Sequence, residues 1–169
     1  TVALGSLKNG KLVYEPVNAC IQLLGMADGK DLITVDDLAT DGALHPVQQA
    51  MVEEHGSQCG FCTPGFVMSL FTLYHAGKRP GREAVNDWLA GNLCRCTGYR
   101  PIADAAFSSI SGAANDFLSR RWTETQTALE ALAGDRSDLF IGNEDRFFAA
   151  PATIESLAEL YKSHPDATV

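Results

Sequence analysis

The sequence predicts an α+β fold, mainly α, in which a short β-rich opening leads into a four-helix unit and then into the start of a further strand-and-helix region. Three observations carry this. Between Thr1 and about Val35, brief apolar runs are separated by turn residues. From His45 to about Arg121, apolar residues recur at three- and four-residue spacings. From Phe147, a strand-like run precedes an amphipathic helical one. These changes of period divide the chain into residues 1–36, 37–121, 122–146 and 147–169.

In the first part, Thr1 to Leu7 and Leu12 to Val17 read as strands joined by the turn Lys8-Asn9-Gly10-Lys11, with a further turn at Asp28-Gly29-Lys30. Two or three strands alone are marginal in water, so this segment must pack on something or belong to a larger sheet. The chain opens at Thr1 with no methionine, on residues that already read as a strand. It is therefore expected to be an incomplete record of a longer protein.

The helical part begins with His45 to His55, where Val47, Ala50, Met51 and Glu54 fall at helical spacings and Gly56 marks the end. Thr63-Pro64-Gly65 opens the next helix, through Phe66 to His75, with a polar cap and an early proline. A third helix spans about Arg82 to Ala90. The fourth is expected from Pro101 to about Arg121, with Ile102, Ala105, Ala106, Ser109, Ile110, Ala113, Ala114 and Phe117 along one face. The pattern of helix, cysteine-bearing loop, helix thus occurs twice, and two such hairpins bring both loops to one end of a four-helix unit.

After Trp122 the composition shifts to Thr, Glu, Gly, Asp and Arg, and Thr123 to Asn143 reads as a connector with one helical turn near Ala128 to Leu132. Beyond it come a strand at Phe147 to Ala150 and an amphipathic helix capped at Thr153, with Ser156 in its first turn. Ala167-Thr168-Val169 begins another apolar run. A new domain is expected to start here and to be cut short.

With 46% apolar and 20% charged residues, the 169-residue chain has an ordinary globular composition. Its 13 basic and 21 acidic residues give a formal charge of −8, so nucleic acid or an anionic membrane would meet net repulsion. No apolar run approaches the roughly 20 residues needed to cross a bilayer.

Five cysteines argue against a simple disulfide framework. Cys59 and Cys62 form a CxxC, Cys94 and Cys96 a CxC, and Cys20 stands alone. Four thiolates from two loops can enclose one metal centre. Zinc sites usually draw on CxxC-type knuckles, because two intervening residues let both sulfurs turn onto one tetrahedral ion. A two-iron cluster spreads its sulfurs over two metals and tolerates the tighter CxC, so the pattern leans to [2Fe–2S] while structural zinc stays open. A thioredoxin-like pair at Cys59 and Cys62 would want a preceding strand, and here a helix precedes. A Rieske centre needs histidines beside the cysteines. His45, His55, His75 and His164 lie elsewhere and read as solvated or capping residues. Each cysteine pair is followed by a helix start, at Pro64 and at Pro101, so free backbone N–H groups and the positive ends of helix dipoles should face an anionic cluster. Gly60, Gly65 and Gly98 suit close approach of backbone to the sulfurs.

Gln58-Cys59-Gly60-Phe61-Cys62-Thr63-Pro64-Gly65-Phe66, taken with Asn92-Leu93-Cys94-Arg95-Cys96-Thr97-Gly98-Tyr99-Arg100-Pro101-Ile102, closely resembles the second [2Fe–2S] domain of the molybdenum hydroxylases, a family that includes xanthine dehydrogenases, aldehyde oxidoreductases and carbon monoxide dehydrogenases. The resemblance implies a four-helix [2Fe–2S]-binding bundle over residues 37–121. In it Cys59, Cys62, Cys94 and Cys96 ligate the cluster nearest the molybdopterin, Gln58 hydrogen-bonds the pterin, and Cys96 lies where the pterin amino group approaches. Read without the family, Gln58 is a loop amide satisfying backbone. Residues 1–36 resemble the end of a β-grasp, plant-type ferredoxin-like domain, whose last cluster ligand matches Cys20. The other three ligands are absent from the chain, and the competing reading makes Cys20 a buried free thiol. Residues 147–169 resemble the opening of an FAD-binding domain. Such a tail favours the xanthine dehydrogenase branch. It implies a cytoplasmic hetero-oligomer such as (αβ)2 with a molybdenum-binding partner, electrons passing to FAD and NAD, and no nucleic acid or membrane partner. The reading from a different class is a zinc-stabilised helical interaction module.

Overall fold

The computed structural model describes residues 1–134 and 137–168, so the expectation for Val169 lies outside the described residues. The chain opens with strand β1 (Val2–Lys8), which turns back into β2 (Lys11–Val17). Asn9 and Gly10, at φ 52° and 72°, occupy the left-handed region that a two-residue hairpin of matching twist demands. Strand β3 (Asp31–Ile33) pairs antiparallel with the other side of β1, giving the order β2-β1-β3. Gly5, at the centre of β1, faces Tyr14 and Asp31 on either side, and a Cβ there would lie 2.7 Å from the Tyr14 ring. The missing side chain lets Tyr14 reach across the central strand and donate its hydroxyl to Asp31 at 2.5 Å.

The helical unit follows as α1 (Pro46–Glu53), α2 (Thr63–His75), α3 (Arg82–Leu89) and α4 (Arg100–Ser109). Helix α2 is apolar around most of its circumference, and every residue from Phe66 to Tyr74 is buried. That is the signature of a central helix. It packs on α1, α3 and α4 and, on its remaining side, on β1 and β2, so the sheet and the helices share one core. Helix α1 also runs against α4, which draws together the ends that carry the two cysteine loops.

Two expectations for the helices are corrected. Helix α1 ends in a left-handed residue, but this is His55, at φ 56°, and not Gly56. Gly56 is needed for space, since a Cβ would sit 2.7 Å from the Met51 sulfur. The fourth helix does not continue to Arg121. The hydroxyls of Ser108 and Ser109 turn back onto the Ala105 carbonyl, and Ile110 leaves the helix in an extended conformation to become fully buried. The chain restarts at the short helix α5 (Phe117–Arg120), where Asp116 accepts from the Ser119 amide at 2.6 Å.

The expected connector is largely structured. Helix α6 (Trp122–Gly134) lies on β1 and β2 through Trp122 and buried Leu129, and Gln126 donates to the Gly10 carbonyl at 3.1 Å. Strand β4 (Leu139–Gly142) pairs with β5 (Phe147–Ala150), and Asn143 closes the turn by accepting from the Asp145 and Arg146 amides. The final helix, α7 (Ile154–Ser163), starts as the sequence predicts, with Thr153 accepting from the Ser156 amide at 3.1 Å. Among the described residues, no helix is long and apolar enough to cross a membrane.

Candidate metal centre

The two cysteine motifs occupy the loops between α1 and α2 and between α3 and α4. Cys62 is the residue before the first turn of α2, and Tyr99 holds the same place before α4, so both loops run directly into helix N-termini whose first amides lack intrahelical acceptors. Gly60 and Gly98, at φ 83° and 69°, take the left-handed turns that fold each loop back on itself.

Gly65 has a different purpose from the one expected. A Cβ there would lie 2.6 Å from the Asn92 side-chain oxygen. Asn92 fills that space. Its amide donates to Ser69 Oγ at 2.6 Å and its oxygen accepts from Thr1 Oγ1 at 2.7 Å, bracing the second cysteine loop against α2 and β1.

Sulfurs of the two loops approach one another: Cys59 Sγ lies 3.6 Å from Cys96 Sγ, and Cys94 is near enough to Cys62 to raise its pKa. Two thiolates on one tetrahedral ion, with metal–sulfur bonds of about 2.3 Å, stand roughly 3.8 Å apart, so the first pair is spaced to share a metal. A single zinc would require the same spacing among all four. Among the described residues, no three of these sulfurs fall within 4.8 Å of one another. A pair that spans both loops is the arrangement a two-metal cluster also uses, one pair to each metal.

The thiols are not equivalent. Hydrogen bonds from the Thr97 side chain and then its amide lower Cys94 to about 7, whereas burial pushes Cys62 up to about 11. An amide donor from Phe61 lowers Cys59, and the bond Cys96 makes to Cys59 raises Cys96. Cys59 and Cys96 are exposed, as is the neighbouring Gln58, while Cys62 and Cys94 are half-buried. Two large apolar side chains in these loops are also open to solvent, Phe61 at 95% and Leu93 at 83% exposure. Cys20 sits in an exposed turn after β2, which excludes a buried thiol, and the structure brings it into no metal-binding group of the described residues.

One cluster was missed by sequence reasoning. Asp116 Oδ2 lies 2.6 Å from His45 Nε2 and 2.8 Å from His75 Nε2, with all three side chains buried. His45 caps α1, as expected of a capping residue, but neither it nor His75 is solvated. The His45 Nδ1 accepts from the Val47 amide, so its proton sits on Nε2 and is donated to Asp116. The trio is therefore a hydrogen-bond clamp and not an ion site. The sequence reads His45 only as one of four solvated or capping histidines; a carboxylate partner 71 residues away leaves no local signal.

The described residues form a helical unit packed on a small β-sheet, with two cysteine loops that meet. Residues 34–107 match the [2Fe-2S] binding domain family. It is 48% identical over 106 residues to a xanthine dehydrogenase of Blastobotrys adeninivorans, a match covering 62% of this chain and 8% of that protein. It is 47% identical over 106 residues to aldehyde oxidase 1 of Cavia porcellus, covering 61% and 8%. Among solved structures, it is similar to the aldehyde oxidoreductase from Desulfovibrio gigas, with a TM-score of 0.54 and 35% identity over 76% of this chain and 13% of that one. It is also similar to quinoline 2-oxidoreductase from Pseudomonas putida 86, with a TM-score of 0.54 and 27% identity over 78% of this chain and 67% of that one. The chain spans less than a tenth of the length of these curated relatives.

Proposed function

We propose that this chain holds a [2Fe–2S] cluster on Cys59, Cys62, Cys94 and Cys96 and serves as the electron relay between a molybdopterin centre and FAD in a xanthine dehydrogenase. The observation that carries this reading is the meeting of the two cysteine loops, with Cys59 Sγ 3.6 Å from Cys96 Sγ, inside the stretch that matches the [2Fe-2S] binding domain family. A cluster bound there supplies one-electron redox chemistry. The chain's own residues supply four thiols beside two helix starts, donate the Thr97 amide to Cys94, and half-bury Cys62 and Cys94 while leaving Cys59 and Cys96 open.

The open side carries Cys59, Cys96 and Gln58. In this reading Gln58 hydrogen-bonds the pterin and Cys96 faces its amino group. No hydrogen bond ties down the Gln58 amide among the described residues, which leaves it available for such a contact. Cys20 is assigned as the last ligand of a first [2Fe–2S] cluster, whose three other thiolates this sequence does not contain. Its exposure suits that assignment. Strand β5 and helix α7 are read as the opening of an FAD-binding domain. The assembled enzyme would hydroxylate a purine at molybdenum, deliver the electrons to NAD, and work in the cytoplasm as a hetero-oligomer such as (αβ)2.

The test is electron flow in the holoenzyme. Cys59→Ser or Cys94→Ser should abolish purine-dependent NAD reduction, and normal turnover in either variant would defeat the relay. Turnover with aldehydes in place of purines would move the substrate assignment to the aldehyde oxidoreductases.

A further inference from the structure

Resting on the cluster reading above, we propose that Thr97 and Tyr99 are positioning residues that set the reduction potential of the centre through the Cys94 sulfur. The three residues form a closed hydrogen-bonded ring. The Cys94 amide donates to Tyr99 Oη at 2.9 Å, and the Tyr99 amide donates to Thr97 Oγ1 at 3.2 Å. Thr97 Oγ1 in turn lies 3.2 Å from Cys94 Sγ. The Thr97 amide approaches the same sulfur at 3.5 Å. Because Thr97 Oγ1 already accepts from Tyr99, its hydroxyl proton is free to point at the sulfur, a strong acceptor once it is a thiolate.

The ring is held at a conformational cost. Tyr99 is a non-glycine residue at φ 68°, in the left-handed region that L-residues avoid. It stays there because the ring of Tyr99 packs edge-on against fully buried Phe66, with centroids 6.0 Å apart, while its hydroxyl reaches back to the Cys94 amide. A strained residue fixed by the core at one end and by the ligand loop at the other keeps the Thr97 hydroxyl aimed.

Hydrogen bonds to a ligand sulfur draw off negative charge and stabilise the reduced state most, so they raise the potential. Cys94 receives both a hydroxyl and an amide donor from one residue, Thr97. The Thr97 hydroxyl is thus the donor at this centre that a single substitution can remove without altering a ligand.

The experiment is a potentiometric titration of the iron-loaded holoprotein, followed by electron paramagnetic resonance. Thr97→Val should retain iron and sulfide but shift the reduction equilibrium about tenfold toward the oxidised form, which is ~59 mV for one electron. Thr97→Ser should restore the wild-type potential, and Tyr99→Phe should shift it the same way by a smaller amount. An unchanged potential in an intact Thr97→Val cluster overturns the proposal. Should valine prevent assembly, electron–nuclear double resonance on reduced wild type decides: a strongly coupled exchangeable proton supports the proposal, and its absence overturns it. Wild-type protein with no iron would refute the cluster reading itself, a result distinct from either of these.

Discussion

Asp116 stands 2.6 Å from His45 Nε2, joining the residue before α5 to the cap of α1 inside a fully buried pocket. The same carboxylate accepts from His75 at the end of α2, and its second oxygen accepts from the Ser119 amide and hydroxyl. All of its acceptor positions are filled. Breaking this clamp should be costly, because a charge-assisted buried hydrogen bond contributes more than a neutral one. Asp116→Asn should lower unfolding stability by about 3 kcal/mol in a urea titration. A loss below about 1 kcal/mol would show that the clamp does not hold the helices together.

The same residue gives the fold a defined acid limit. Burial opposes ionisation of Asp116, but the bonds from His45, His75 and Ser119 outweigh it and hold its carboxyl well below the usual carboxylate range. A group whose pKa is depressed on folding contributes stability that is complete above its unfolded value of about 3.9 and disappears as the pH falls below it. Wild-type stability should therefore drop steeply on acidification below about pH 4, and Asp116→Asn should show a flatter profile in that window. Parallel profiles for the two proteins would contradict this account.

In the metal-free chain, Cys94 and Cys62 should differ sharply toward alkylating reagents. Only the thiolate reacts. With Cys94 lowered to about 7 and Cys62 pushed up to about 11, iodoacetamide at pH 8 should label Cys94 well before Cys62, as read by mass spectrometry of peptides. Equal labelling of both would argue against the hydrogen bonds from Thr97.

Gly65→Ala should loosen the second cysteine loop without touching a ligand. The new methyl would displace the Asn92 side chain, which lies 2.6 Å from its position, and with it the bonds to Ser69 and Thr1. The expected cost is about 1–3 kcal/mol, typical of overpacking. Iron loss to a chelator should also be faster than in wild type. Unchanged stability together with unchanged iron loss would show that Asn92 does not brace the loop.

How much could be read in advance follows from how far apart the interacting residues lie in the chain. The hairpin at Asn9-Gly10, the start of α2 at Thr63-Pro64 and the Thr153 cap of α7 each depend on residues within a few positions of one another, and each is legible as a local pattern. The four cysteines are legible because ligand chemistry restricts residue type and spacing. Helix α6 was legible only as the turn at Ala128 to Leu132, because the β-branched Thr123, Thr125 and Thr127 weaken the helical signal of its first half; the helix is held by Trp122 and Leu129 against a sheet more than a hundred residues earlier. The break in α4 was missed for a related reason. The apolar period runs on through Ala113 and Ala114, but the chain leaves the helix where Ile110 reaches the core and Asp116 reaches two histidines. Hydrophobic spacing carries no trace of such a polar contact. The pairing of Cys59 with Cys96 across the loops likewise depends on how α1 packs against α4.

The most direct test is metal and acid-labile sulfide analysis of protein isolated without oxygen, with electron paramagnetic resonance after reduction. About two irons and two sulfides for the quartet Cys59, Cys62, Cys94 and Cys96, with a paramagnetic signal on one-electron reduction, is the result the cross-loop pairing predicts. A colourless protein holding a single zinc and no iron would contradict it.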